Sequence, residues 1–482
     1  MRPNQQQLVE SLRARFGARM VESDPEALAP WLTDWRNRFH GAAPAMLSPD
    51  SVEAVQAVVT LAREAGVPLV PQGGNTSMVG GATPPADGSA LILSLRRMTR
   101  IRAISADASL AVAEAGVILA ALQDAARGIG RRFPLDLGSR GSATIGGLVS
   151  TNAGGTQVLR FGTMRGLVAG VEAVLPDGSV HDGLSALKKD NRGYDLDQLL
   201  IGAEGTLGVV TAATLRLVPA VVSRAVAWVG LDSPRQALRL LRHVERRTDA
   251  VESFEIIPAE ALASVLAHIP GTRAPVDAGY RWHVLIEAVS TDAGDRAPDD
   301  LLADLLQQAL AGGLAGDGVV SASEAQAEAF WRIRHGISES ERARGPAVQH
   351  DISVPVEAMP GFMTEAGAQI EARFPGTRAV AYGHLGDGNV HFHVRAPAGA
   401  ERDAWYAGEA PSITRAVHDL VVAAGGSISA EHGIGQMKRD ELERLGPASR
   451  IATLRAIKLA LDPAGILNPG KLVALAPAPD RP

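Results

Sequence analysis

Three glycine-rich stretches constrain this chain more than any other feature, because each interrupts a series of short apolar runs where an α+β domain places its loops. The first, Gln72-Gly73-Gly74-Asn75-Thr76-Ser77-Met78-Val79-Gly80-Gly81, follows directly on the apolar run Val67–Pro71. The second spans Pro134–Gly155, and the third, Gly202–Gly208, leads into a strand-like run at Val209–Val218. Glycines lack a Cβ, so successive backbone N–H groups can converge into a concave anion nest, and Asn75, Thr76 and Ser77 can add side-chain hydrogen bonds. The spacing is neither G-x-G-x-x-G nor a P-loop, since no Lys-Ser/Thr pair follows. One such loop alone is as well read as a plain turn. Three in one α+β region point to a single large polyanionic ligand held mainly by backbone.

At 482 residues the chain exceeds what one hydrophobic core supports, so two or three domains are expected. A formal charge of −6 and the lack of a long Lys/Arg cluster argue against a nucleic-acid partner. The absence of cysteine excludes disulfides, thiolate nucleophiles and Cys-type zinc or iron–sulfur sites, so any metal must use His, Asp or Glu. The N-terminus has no secretory apolar core, and no segment offers about 18 uninterrupted apolar residues. A cytoplasmic protein without a transmembrane segment is expected, and a peripheral contact at a membrane surface is compatible with the composition.

Local pattern gives the order of elements. A helix is expected over Gln5–Phe16, and Ser48-Pro49-Asp50 marks the start of another, with Val52, Val55, Val58 and Val59 as its buried stripe and Gly66 as its end. Short strands at Leu91–Leu95 and Leu110–Ala115 precede a helix near Ile118–Arg127, an extended loop over Pro134–Gly155, and a hairpin about Pro176-Asp177-Gly178. The composition shifts at Pro219–Ser223. Beyond it, strands at Ala225–Val229, Val251–Ile256 and Trp282–Val289 alternate with helices to form a second α/β layer, and helices are expected over Glu324–Ala343 and Arg402–Ala424.

The chemistry concentrates in Ala379–Arg395, AVAYGHLGDGNVHFHVR. Ala379–His384 and Val390–Val394 read as the strands of a hairpin about Gly386-Asp387-Gly388-Asn389. Strand alternation points His391 and His393 to one face, and the turn can fold His384 beside them. Catalytic zinc and similar cations take about three N/O ligands and keep one position open. His384, His391 and Glu431 could supply that set, with the adjacent His432 placed to take a proton from a substrate hydroxyl. Arg334 and Ser338 lie one helical turn apart, and the Arg334 guanidinium suits a carboxylate. Each of these residues alone is better read as a core histidine, a loop cap or a solvated helix face. Their joint occurrence makes the case.

Taken together, PQGGNTSMVGG at Pro71–Gly81, PLDLGSRGSATIGG followed by STNAGG, IGAEGTLG at Ile201–Gly208, GHLGDGNVH at Gly383–His391, SAEHGIG at Ser429–Gly435 and DPAGILNPGK at Asp462–Lys471 resemble the flavin-dependent D-2-hydroxy acid dehydrogenases, whose FAD domain is of the vanillyl-alcohol-oxidase type. The resemblance covers nearly the whole chain. It implies an α+β fold with a two-subdomain FAD-binding domain over residues 1–222, an α/β substrate-binding cap domain over 223–422, and a C-terminal segment, 423–482, returning to the FAD domain. It places the FAD pyrophosphate on Gly73, Gly74, Asn75, Thr76 and Ser77, with Pro71 also at the cofactor. Pro134, Asp136, Gly138, Ser139, Ser142, Ile145 and Gly146 would run along the cofactor, Gly205, Gly208, Val209 and Val210 would lie by the adenine end, and Asn468 close to the flavin.

In the 2-hydroxyglutarate branch, positions matching His384, His391 and Glu431 bind zinc, the one matching His432 is the base, and Arg334 and Ser338 fall where substrate carboxylates are held. Gln349 and His393 occupy two further substrate positions, where that branch has lysine and asparagine. The resemblance thus implies oxidation of a D-2-hydroxy acid, foremost D-2-hydroxyglutarate with D-lactate as the alternative, by non-covalent FAD and a zinc-like cation. It implies a quinone or an electron-transfer flavoprotein as electron acceptor and admits a homodimer. A metal-dependent hydrolase of a phosphorylated substrate is the rival from another class.

Overall fold

The computed structural model describes residues 1–277 and 279–475. The chain forms two compact units, one from Met1–Gly155, Gly162–Pro219 and the segment from Glu431 onward, the other from Thr156–Phe161 and Ala220–Ala430. No described helix is long and apolar enough to cross a membrane.

The first unit holds two main sheets. Strands β1 (Val21–Glu22), β2 (Met46–Leu47), β3 (Leu69–Gln72) and β4 (Leu91–Ser94) order as β1-β2-β4-β3, with β4 parallel to both β2 and β3. The helix Val52–Ala65 connects β2 to β3 as the crossover that parallel neighbours require. It starts at Ser51, whose side chain accepts from the Ala54 N–H, and not at Ser48-Pro49-Asp50. The hydroxyl at Ser51 is the one that reaches a first-turn donor. Gly66 ends it in the left-handed region at φ +61°, and Val55, Val58, Val59 and Ala62 fill the core beneath.

Farther along lie β5 (Ile101–Ser105), β6 (Leu110–Glu114), β7 (Arg131–Arg132), β8 (Val168–Val174), β9 (Val180–Asp182), β10 (Val209–Arg216) and β11 (Val218–Pro219). The second sheet is antiparallel in the order β5-β6-β10-β8-β9, and β7 pairs with β11 alone. The expected loop over Pro134–Gly155 is helical at Ile145–Thr151, since Ile145, Leu148 and Val149 at helical spacing are all buried. The returning C-terminal segment bridges β3: Leu69 donates to Ile466 O and Asn468 N–H to Leu69 O, both at 2.8 Å.

The second unit is one seven-stranded antiparallel sheet. Its strands are β12 (Ser223–Leu231), β13 (Val251–Pro258), β14 (Trp282–Ser290), β15 (Asp317–Val320), β16 (Ala347–Ser353), β17 (Arg378–His384) and β18 (Asn389–Arg395), ordered β15-β12-β14-β13-β17-β18-β16. Alternation splits each strand between two faces. Ala227, Val229, Phe254, Ile256, Val284, Ile286, Ile352, Val390 and Phe392 join a core with the helices Pro234–Glu245, Pro298–Ala311, Met359–Arg373 and Ala410–Ala423. The opposite face carries Val226, Trp228, Ile257 and Leu285 under the helices Ala259–His268 and Glu324–Ala343. That second face turns polar toward β17, β18 and β16, where Tyr382, His391, His393, Gln349 and Asp351 alternate with the core residues.

The stretch Arg402–Ala424 is two helices, Arg402–Ala407 and Ala410–Ala423, and not one. Pro411 lacks an N–H and would set its ring against the Ala407 carbonyl in a continuous helix, so it opens the second helix after the turn at Gly408.

Candidate active site and cofactor cradle

In the first unit, β3 delivers Pro71 and Gln72 into the glycine loop, and close packing explains the glycines. A Cβ on Gly74 would lie 1.9 Å from Ser142 O, and one on Gly73 2.2 Å from Thr144 Oγ1, so the loop lies against the segment holding Ser139 and Ser142. Gly146 is pressed on Ala115, Gly155 on Asp136 O, Gly205 on Pro71 and Gly208 on Leu200. Val209 and Val210 enter β10 opposite Val174 and Ala173. Among the described residues, the backbone N–H groups of Gly73 to Ser77 donate to no protein acceptor. The side chains behave differently from the sequence expectation. Asn75 spends its amide on Pro30 O and Thr33 O at 3.2 and 2.9 Å, and the Ser77 hydroxyl accepts from Val79 and Gly81 N–H. They shape the loop and leave its backbone donors to a ligand.

Asn468, at φ +43°, donates its amide to Gly81 O and Glu204 O, tying the C-terminal segment to the first and third glycine loops. Its Oδ1, Gln72 Oε1 and Thr144 Oγ1 are buried without a protein hydrogen-bond partner. Pro134 and Gly138 lie in the same loop as Asp136. Glu204 is buried and accepts from Ile434 and Gly435 N–H, both at 2.7 Å, just beyond His432. Burial pushes its carboxyl pKa up against those two backbone bonds.

In the second unit the hairpin of β17 and β18 pairs His384 with Asn389, Tyr382 with His391 and Val380 with His393. His384 and His391 are therefore diagonal neighbours, with Nε2 atoms 3.4 Å apart. Gly388, at φ +80°, closes the turn by donating its N–H to His384 O. Two residues absent from the sequence reading organise this face. Glu255, on β13 and directly across from His384, accepts from His384 Nδ1 at 2.6 Å and from Arg334 Nε at 2.7 Å. Burial alone would raise its carboxyl, but His384 and Arg334 outweigh that and hold it at about 2. Tyr382 is the hub: its ring lies 5.1 Å from the His391 ring, 5.3 Å from the His393 ring and 5.1 Å from the Arg334 guanidinium, and its hydroxyl is 3.0 Å from Ser338.

Gln349 stands opposite His393 on β16. Asp351, two residues on, has its backbone carbonyl 3.4 Å from Ala430 N, the last residue of this unit before Glu431 and His432. The histidines and Gln349 thus share one sheet face, which Arg334 and Ser338 meet from the helix Glu324–Ala343, while Glu431 and His432 begin the segment belonging to the first unit. No motif marks Glu255 or Tyr382. Strand alternation alone could have placed Tyr382 beside His384.

Residues 222–472 match the family of FAD linked oxidases, C-terminal domain, and residues 43–183 match an FAD binding domain. The chain belongs to the FAD-linked oxidase family. As an FAD-linked oxidase it is 37% identical over 469 residues to the D-2-hydroxyglutarate dehydrogenase of Xanthomonas citri pv. viticola, covering 97% of each. It is 36% identical to the mitochondrial D-2-hydroxyglutarate dehydrogenase of Arabidopsis thaliana, over 95% of this chain and 80% of that protein. Solved structures of p-cresol methylhydroxylase (TM-score 0.74, 16% identity, 98% of this chain and 97% of that one) and of 4-ethylphenol oxidase from Gulosibacter chungangensis (0.71, 18%, 98% of each) share the fold. The fold is of the vanillyl-alcohol-oxidase type.

The residues of this FAD-linked oxidase fit its cofactor. The run of N–H donors from Gly73 to Ser77 suits a pyrophosphate, and the buried acceptors on Gln72 and Asn468 suit a ligand carrying N–H groups. A cation is also compatible with the histidine pair. Two nitrogens about 2.05 Å from one tetrahedral zinc stand about 3.3 Å apart, close to the observed 3.4 Å, which is long for an N–H···N bond.

Proposed function

We propose that this protein oxidises a D-2-hydroxy acid, D-2-hydroxyglutarate first among them, to the corresponding 2-oxo acid. The observation that carries the reading is the single carboxylate of Glu255 holding both Arg334 and His384 on the sheet face that also bears His391. One cationic fork and two imidazole nitrogens side by side suit a substrate with a carboxylate next to a hydroxyl. The relatives named above support the substrate class.

FAD, when bound, would supply the two-electron acceptor, and a zinc-like cation, which His384, His391 and Glu431 would hold, would supply Lewis acidity. Arg334, fixed through Nε, offers its terminal nitrogens to the substrate carboxylate as a planar fork. Ser338 and Tyr382 line the same face and add hydroxyl donors. His432 takes the hydroxyl proton as the C2 hydrogen departs with its electron pair, so that the alcohol carbon becomes the carbonyl carbon. Gln349 and His393 lie where a distal carboxylate or a methyl group would be distinguished. Gln349 carries no charge, which keeps D-lactate as the second reading. A quinone or an electron-transfer flavoprotein would serve as the electron acceptor that restores the oxidised cofactor.

Anaerobic mixing of the purified protein with D- and L-2-hydroxy acids tests this. The yellow colour should bleach with D-2-hydroxyglutarate or another D-acid and persist with the L-acids. A flavin that no D-2-hydroxy acid bleaches would overturn the proposal.

A further inference from the structure

Glu255 is buried in the middle of the sheet, and both of its oxygens are committed to groups on neighbouring elements. Its position is set by ladder register, since Glu255 and His384 are directly paired between β13 and β17, whereas Phe254 and Ile256 on either side face the opposite core. A carboxylate only accepts hydrogen bonds. The His384 ring nitrogen facing it at 2.6 Å therefore carries a proton, and in the neutral ring the lone pair is then on Nε2, the atom 3.4 Å from His391 Nε2.

We propose that Glu255 is the positioning residue of the metal centre: it fixes the His384 proton on Nδ1, so that Nε2 is presented as a ligand, while its other oxygen holds Arg334 by Nε in the same geometry. The inference rests on the reading of His384 and His391 as cation ligands and deepens it. A carboxylate behind a ligating imidazole fixes tautomer and ring orientation, and losing such a partner weakens metal binding by about 10–100-fold. A merely structural role is the competing account, since buried Arg–Glu–His contacts also hold elements together.

Glu255→Gln separates the two accounts, because it is isosteric and its two ends are not equivalent. Arg334 Nε can only donate, so the glutamine oxygen must face it and the amide nitrogen must face His384. That nitrogen donates, so His384 Nδ1 has to accept and the ring proton moves to Nε2, where it blocks ligation. The test uses holoprotein with bound FAD, stripped of metal by a chelator and titrated with Zn2+ alone against a chromophoric competitor, for wild type, Glu255→Gln and His384→Ala. The expected result is one zinc per wild-type chain, affinity lowered about 10–100-fold in Glu255→Gln, and near-complete loss in His384→Ala, with far-ultraviolet circular dichroism and FAD content unchanged. Wild-type zinc affinity in a folded Glu255→Gln would overturn the role of Glu255 alone. Wild type that binds zinc no better than His384→Ala would overturn the metal reading and this inference with it. Should Glu255→Gln fail to fold, the tautomer is read directly in metal-free wild type labelled with 15N-histidine: a proton on His384 Nδ1 supports the inference, and one on Nε2 overturns it.

Discussion

His391 stands directly across the ladder from Tyr382, not from His384. The two histidines meet only along the diagonal, and the tyrosine ring forms the wall behind both of the β18 imidazoles. Tyr382 is 1% exposed, and its hydroxyl lies at hydrogen-bond distance from Ser338 on the long helix, so it couples the hairpin to that helix.

Tyr382→Phe keeps the wall and removes the hydroxyl. It should cost about 0.5–1.5 kcal/mol of unfolding free energy and leave zinc content unchanged. Tyr382→Ala should cost about 3–5 kcal/mol through the cavity and reduce zinc content as the imidazoles lose their support. Urea unfolding with metal analysis on both variants checks this; equal losses in the two would remove the ring from the argument.

FAD should be bound without a covalent link, since the Gln72–Gly81 loop contains no histidine. Acid precipitation should release all the flavin to the supernatant, and yellow colour in the washed pellet would contradict this. Gly74→Ala forces a Cβ to 1.9 Å from the Ser142 carbonyl, and backbone on both sides leaves little room to yield. Overpacking of that kind costs about 1–3 kcal/mol, and the variant should purify with far less than one FAD per chain.

Lys471 is 3% exposed, and burial, reinforced by Arg439 and opposed by Glu204, lowers its pKa to about 8 from 10.5. Between those values the unfolded chain binds more protons than the folded one, so this residue makes stability rise with pH through that window. Below about 8 both states hold the proton and its contribution no longer varies. Relative to Lys471→Met, the wild type should gain on the order of 2–3 kcal/mol from pH 8 to 10.5. Parallel stability–pH curves for the two proteins would show that Lys471 titrates normally.

Arg334→Ala removes the proposed carboxylate fork and also leaves Glu255 with one partner fewer in a buried site. Substrate binding should weaken by about 1.5–3 kcal/mol for every 2-hydroxy acid, and stability should fall by about 3–5 kcal/mol as for a broken buried pair. Arg334→Lys should restore part of the stability without the bidentate geometry. Steady-state kinetics beside thermal melts separates the two effects. Unchanged KM with lowered Tm would make Arg334 structural only.

The parts of this molecule that were legible in the sequence are those fixed by short-range physics. Period-2 alternation and the Gly-Asp-Gly turn gave the hairpin strands within a residue or so, and the expected helix Glu324–Ala343 has the observed bounds. Glu255 was illegible because its partner is 129 residues away and its own strand, Val251–Pro258, reads as an ordinary buried run. Only the pairing of β13 with β17 gives it meaning. Asn75 misled because a polar side chain in a glycine loop can face a ligand or brace the loop, and the segment it braces, around Pro30 and Thr33, is remote in sequence. The helix break before Pro411 was open to local reasoning, since a proline cannot donate inside a helix.

In the function proposed above, substrate choice would turn on Gln349. It lies directly across from His393 on the sheet face that carries the histidines, with its side chain half-buried. The 2-hydroxyglutarate branch that the sequence resembles has lysine there, which would attract a distal carboxylate. A neutral amide can donate a hydrogen bond but adds no Coulomb term, so dicarboxylate binding should be weakened without being lost. Gln349→Lys restores a cation at short range, where an effective dielectric near 20 gives on the order of a few kcal/mol for a pair about 4 Å apart before desolvation is subtracted. We expect the ratio of kcat/KM for D-2-hydroxyglutarate over D-lactate to rise about tenfold or more, with D-malate intermediate because its second carboxylate is one methylene nearer. Measuring the three acids on both proteins decides the matter: a ratio unchanged by the lysine would mean that residue 349 does not face the distal end of the substrate.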